Sequence, residues 1–195
     1  DLPQSLLISG PAGVGLSAVY THLSAQYGIV AQVVLPEKDE KVDIEKGVIS
    51  VDSIRRIYDM TKTIETHKRL IVIDYAERMG SHAQNAFLKL LEEPGKNTHF
   101  MLLTHDISKI LPTIKSRAQQ LELRSITEKQ SEQLLDDLKV TDAKQRSQLL
   151  FMASGLPAEL SRLAGNADYF EHRSQIVRDA RTFLQGSAYD RLKIA

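Results

Sequence analysis

Apolar and polar positions along this chain alternate between short β-branched runs and stretches of helical period, the pattern of a layered α/β protein. Ser5–Ser9, Ile29–Leu35, Leu70–Ile73, His99–Thr104 and Gln119–Leu123 read as strands. A helix follows the first of them through Val19, Leu23 and Tyr27, with Gly28 as its C′ glycine. A second helix is capped at Ser50 and carries Ile54, Ile57, Tyr58 and Thr61 on one face. A third takes Ser81 as its N-cap and turns Ala83, Ala86, Phe87, Leu90 and Leu91 inward. Glu92-Glu93-Pro94 ends it, because proline disfavours helix at the residue before it. Pro36–Lys41 reads as a charged, solvated loop.

Beyond Leu123 the pattern becomes wholly helical. Thr127 and Gln130 make a capping box ahead of Leu134, Leu135 and Leu138. A helix from about Asp142 carries Leu149, Leu150 and Met152, and another opens at Gly155-Leu156-Pro157-Ala158 and runs through Leu160, Leu163 and Ala164. Tyr169–Ala195 continues as a charged amphipathic helix. The expected organisation is an α/β domain over 1–124, a small three-helix lid over 125–167 and a helical tail over 168–195.

Lys plus Arg and Asp plus Glu are equal at 25 each, so no overall basic field marks a nucleic-acid binder. Cysteine is absent, which excludes disulfides and thiolate metal sites, and the six histidines lack metal-ligand spacing. No apolar run approaches the ~20 residues of a membrane span and no secretory leader is visible, so a cytoplasmic protein with no membrane partner is expected. The chain opens at Asp1 without an initiator Met, which points to a segment of a longer gene product.

Two stretches carry chemistry. Gly10–Ser17, GPAGVGLS, lies between a strand and a helix and follows the phosphate-loop template G-x-x-x-x-G-K-[ST] at Gly10, Gly15 and Ser17, with Gly13 inside the loop. Leu16 occupies the lysine position. An aliphatic side chain there forfeits a charge-assisted hydrogen bond of about 1.5–3 kcal/mol to the terminal phosphates. The loop is then either a vestigial nucleotide site or a turn that merely joins strand to helix. The other stretch is Leu70–Pro94, in which Asp74 ends a buried strand at the edge where open α/β sheets hold ligands.

Gln84–Pro94, QNAFLKLLEEP, with IVID upstream and Ser116-Arg117 downstream, resembles the bacterial clamp-loader branch of the AAA+ ATPases, which load the sliding clamp of the replicative polymerase. The resemblance runs from about Ser5 to Asn166 and is nearer to the delta-prime subunit than to the ATP-hydrolysing gamma/tau subunit of DNA polymerase III. It implies a P-loop AAA+ module, a parallel sheet flanked by helices, followed by the lid and the start of a collar. The four-cysteine zinc module of many such subunits is missing.

The same resemblance implies that Asp74 would organise Mg²⁺, but Tyr75 stands where the water-positioning Glu belongs. A phenol is a poor base at neutral pH, and Glu77, two residues on, is the alternative base if the strand continues. Thr104 or His105 would take the sensor-1 position, and Ala158 replaces the sensor-2 arginine. Arg117, with Ser116, matches the arginine finger that reaches a neighbouring subunit's ATP, Ala118 replacing the usual cysteine. Arg55 or Arg56, at the helix opened by Ser50, would lie near DNA.

Three losses at Leu16, Tyr75 and Ala158 beside a retained Arg117 imply a non-catalytic, delta-prime-like stator. Its Gly10, Gly13, Gly15, Ser17, Asp74 and Thr104 would form a degenerate pocket with weak or no ATP and Mg²⁺ binding and no required cofactor. Gamma/tau-type ATPase and delta-type subunits are the implied partners, with sliding clamp and primed DNA reached through the assembly. The alternatives are an AAA+ ATPase with an unconventional active site and an interaction scaffold unrelated to replication.

Overall fold

A computed structural model of the chain describes residues 2–61 and 67–185. In chain order these form β1 (Ser5–Ser9), α1 (Leu16–Tyr27), β2 (Ala31–Val34), β3 (Glu37–Lys38), β4 (Lys41–Val42), α2 (Val51–Thr61), β5 (Arg69–Ile73), α3 (Ser81–Glu92), β6 (Thr98–Thr104), α4 (Pro112–Lys115) and β7 (Gln119–Glu122). Four further helices follow: α5 (Glu128–Asp137), α6 (Ala143–Ala153), α7 (Pro157–Gly165) and α8 (Ala167–Gln185). Contacts divide the chain into two units, Asp1–Arg124 and Ser125–Ala195.

In the first unit five strands pair in the order β2-β5-β6-β1-β7, every pair parallel. The three inner strands are apolar along most of their length because helices cover both faces of such a sheet. Leu6–Ile8, Leu70–Ile73 and Phe100–Leu103 are all buried, whereas β7 at the edge is exposed throughout. Phe87 of α3 meets Phe100 of β6 edge to face, ring centroids 5.4 Å apart, and the shared core continues through Leu90, Ile54 and Ile57.

Several boundaries differ from expectation. The Pro36–Lys41 stretch is not a plain loop: β3 and β4 form a hairpin with Lys38 opposite Lys41, and Asp39 and Glu40 at the turn both have positive φ. Two left-handed residues in a two-residue connection match the twist of the strands, but Asp-Glu is not the Asn-Gly or Asp-Gly signal that would announce them. Ser81 is not the cap of α3 but its first residue; Gly80 precedes it in extended backbone and no side chain caps the helix. Tyr58 of α2 is exposed rather than on the core face. β2 is shorter than the apolar run that predicts it, with Val30 almost fully exposed.

In the second unit Leu135, Leu149, Ala153, Leu160 and Leu163 from α5, α6 and α7 make a small core, against which Tyr169 and Phe170 of α8 pack. The Thr127–Gln130 capping box forms, the Thr127 amide donating to the Gln130 side chain at 2.9 Å. Asp142 caps α6 by accepting from the Gln145 amide at 2.7 Å. Residues 186–195 of the expected tail lie outside the described residues.

Candidate functional site

Sheet order brings the ends of β1, β6 and β5 side by side, and the glycine loop, His105 and Asp74 follow those ends directly. The Gly10 amide donates to the Thr104 carbonyl at 3.2 Å, pinning the start of the loop to the tip of β6. A Cβ at Gly10 would stand 2.9 Å from the Leu123 carbonyl oxygen, so only glycine fits that approach. Gly15, with φ 96°, turns the chain into α1 through backbone that L side chains rarely adopt. The glycine turn expected between β1 and α1 is therefore present as a shape.

Its charge is missing. Leu16, at the lysine position, is 3 % exposed and is the only buried residue of α1. The aliphatic side chain is committed to packing, and the helix is anchored at its first residue by the side chain that would otherwise carry the cation.

Ser17 and Asp74, 57 residues apart, do meet. The Ser17 hydroxyl donates to Asp74 Oδ2 at 3.2 Å and the Tyr75 amide donates to Oδ1 at 3.0 Å. Asp74 is 5 % exposed, and burial pushes its carboxyl above the ordinary value of 3.8 despite those two hydrogen bonds. One hydroxyl and one carboxylate fit a magnesium ion in chemistry, supplying two oxygens of the six it takes. Phosphate and water would have to provide the rest. Among the described residues no cluster of three or more His, Cys, Asp or Glu could hold a metal.

The strand does not continue past Ile73. Tyr75 adopts a left-handed conformation, φ 58°, and Ala76–Arg78 form a 3-10 turn. This removes the premise that puts Glu77 on the same face as Tyr75. Glu77 instead accepts from the His105 amide at 3.3 Å. The Tyr75 phenol is pushed up by burial and by the charges of Asp74 and Glu77, so still less of it is phenolate, the form that can take a proton, at neutral pH. Its ring meets the edge of His105, centroids 5.3 Å apart, and His105 Nδ1 lies 3.0 Å from the Gly10 carbonyl oxygen. Of the two sensor-1 candidates, His105 is thus the one whose side chain touches the loop. Thr104 is buried, its hydroxyl accepting from the Asp106 amide at 3.1 Å, and it reaches the loop only through its carbonyl.

Arg117 belongs to a different place. β7 begins at Gln119, which pairs with Leu6 near the start of β1, whereas the glycine loop leaves the far end of β1 after Ser9. At about 3.3 Å per residue, Leu6 and Gly10 are roughly 13 Å apart along the strand, so Arg117 stands toward the opposite edge of the sheet from the loop. Its side chain is 40 % exposed. Nη2 contacts Glu92 Oε1 at 2.8 Å, and Nη1 donates to the Thr113 carbonyl at 3.1 Å. Neighbouring Ser116 is exposed and turns its hydroxyl to the same carbonyl at 3.0 Å. Buried Ile110 and Ile114 hold α4 to the core.

Sequence reasoning missed Gln84 as a structural residue. It is buried in α3, its Nε2 donating to the Met79 carbonyl at 3.0 Å and the Lys109 carbonyl at 2.9 Å, while Oε1 accepts from the Leu111 amide at 2.8 Å. A polar residue between Ala83 and Phe87 on the inward face was the available signal. Arg55 and Arg56 are both engaged on the protein surface, Arg55 with Asp52 at 2.9 Å and Arg56 with Glu37 at 3.2 Å. Ala158, at the position where the resemblance expects a sensor-2 arginine, is exposed in the first turn of α7.

A parallel sheet in this order, a glycine loop after β1 and an acid after β5 define an AAA+-type P-loop fold. A Thermotoga maritima RuvB variant of known structure shares it, with a TM-score of 0.64 at 16% identity over 100% of this chain and 62% of that one. Residues 27–127, just over half of the chain, match the family model for "DNA polymerase III, delta subunit", and the chain belongs to that family. The delta-prime subunit of Bacillus subtilis strain 168 is 34% identical over 62% of this chain and 36% of its own length. The delta-prime subunit of Pseudomonas aeruginosa PAO1 is 30% identical over 93% of this chain and 62% of its own. The chain thus spans less than two thirds of either relative.

Proposed function

We propose that this chain is a delta-prime-like, non-hydrolysing component of the DNA polymerase III clamp loader. Its part is to present Arg117 to the ATP site of a neighbouring gamma/tau-type subunit while a delta-type subunit and the sliding clamp are brought to primed DNA. The observation that carries this reading is the separation of Arg117 from the chain's own glycine loop by the length of β1. A half-exposed guanidinium near the opposite edge of the sheet supports a role at another molecule's phosphate rather than the chain's own. Three features support the absence of hydrolysis: Leu16 packs in the interior, Tyr75 replaces the general base, and Glu77 is engaged with the His105 amide. No helix among the described residues is long and apolar enough to cross a membrane.

The test is a loader reconstituted from the full-length subunit with its gamma/tau-type and delta-type partners, clamp and primed DNA. Arg117→Ala should lower ATP turnover at the site it faces by about 10³-fold, the lower end of what trans-acting fingers supply in other NTPases. Unchanged turnover would refute the finger. The isolated subunit should show no saturable ATP hydrolysis; turnover abolished by Glu77→Gln would instead establish an ATPase with an unconventional base.

A further inference from the structure

The Arg117 guanidinium is held between two elements. Glu92, the last residue of α3, takes Nη2 at 2.8 Å, and the Thr113 carbonyl of α4 takes an Nη1 proton at 3.1 Å. An arginine has five N–H donors in a planar fork, so these two contacts set the plane of the fork without using all of its donors. With the two side chains 40 % and 50 % exposed, an ion pair of this kind adds little to folding stability, and its consequence is chiefly geometric. Glu92 and Glu93 also stand together at the C-terminal end of α3, the end where the helix dipole disfavours negative charge. Local helix energetics therefore do not account for a carboxylate there, and Arg117 is the cation it contacts.

We infer that Glu92 is a positioning residue for Arg117, ordering the guanidinium before it meets a phosphate on a neighbouring subunit. The inference rests on the finger reading of Arg117. A long side chain loses rotamer freedom when it engages its target, and ordering it beforehand removes part of that cost from the reactive complex. Glu92 is not a catalytic residue: it acts through Arg117 and touches no substrate.

The test uses the same reconstituted loader with Glu92→Gln, Glu92→Asp, Arg117→Ala and the Glu92→Gln/Arg117→Ala pair, reading kcat and KM for ATP separately. Glu92→Gln should lower kcat by roughly threefold to tenfold, the freedom of one immobilised long side chain, with KM nearly unchanged. Glu92→Asp should recover part of the loss. The double variant should be no slower than Arg117→Ala alone, because Glu92 has nothing to position once the guanidinium is gone. If Arg117→Ala slows the loader while Glu92→Gln leaves it unchanged or speeds it, the positioning role is wrong and the finger stands. A further loss from Glu92→Gln in the Arg117→Ala background would show that Glu92 acts by another route. No effect of Arg117→Ala would remove the finger and this inference together.

Discussion

Gln84 illustrates how much one buried side chain decides. It ties the first turn of α3 to the Met79 carbonyl behind it and to the Lys109–Leu111 segment that leads into α4. Gln84→Leu would leave one amide and two carbonyls without these partners, and a buried unpaired polar group costs about 1–3 kcal/mol. Urea unfolding should show a loss of that order or somewhat more, and an unchanged midpoint would mean that water replaces the amide. Asp74 has a different signature. Its carboxyl is raised above 3.8 in the folded chain, chiefly by burial, so the folded state binds its proton more tightly than the unfolded state. Its stability contribution is therefore fullest at low pH and declines as pH climbs through the raised value. Asp74→Asn should gain stability relative to the parent above that window and lose this part of the pH slope. Unfolding both proteins across the acid range measures the difference, and parallel curves would contradict it.

At the scale of the element, α3 is the piece on which the candidate site depends. Its inward face enters the sheet core at Phe87 and Leu90, Gln84 at one end holds the lead-in to α4, and Glu92 at the other meets Arg117. The helix thus sets where the arginine-bearing segment can lie. Phe87→Ala removes a fully buried ring and its edge contact with Phe100, a change expected to cost about 3–5 kcal/mol. Denaturant midpoints measure that loss, and amide exchange should rise in α4 as well as in α3; a response confined to α3 would show that the two helices are not coupled. The pattern of Ala83, Phe87, Leu90 and Leu91 made the helix legible in the sequence. Its polar contacts were not, because periodicity reports which face is buried and says nothing about what a buried amide bonds to.

For the whole molecule, the two edges of the parallel sheet differ in chemistry. The carboxyl edge carries a glycine loop in which buried Leu16 stands at the lysine position of the phosphate-loop template, and the other carries the half-exposed Arg117 guanidinium. On the proposed reading, the reconstituted loader should distinguish these edges: Arg117→Ala should lower a partner's turnover, and the isolated chain should show none of its own.

The linear chain by itself determined most of the strand and helix succession, the uncharged side chains at Leu16 and Ala158, and the family-like string around α3. These are local matters of side-chain type and spacing. It did not determine that Ser17 meets Asp74, that His105 rather than Thr104 faces the loop with its side chain, that Glu77 leaves the strand's line, or that Glu92 holds Arg117. Parallel neighbours are joined by crossovers, so the strands that lie side by side are remote in sequence, and only the folded sheet brings their ends together.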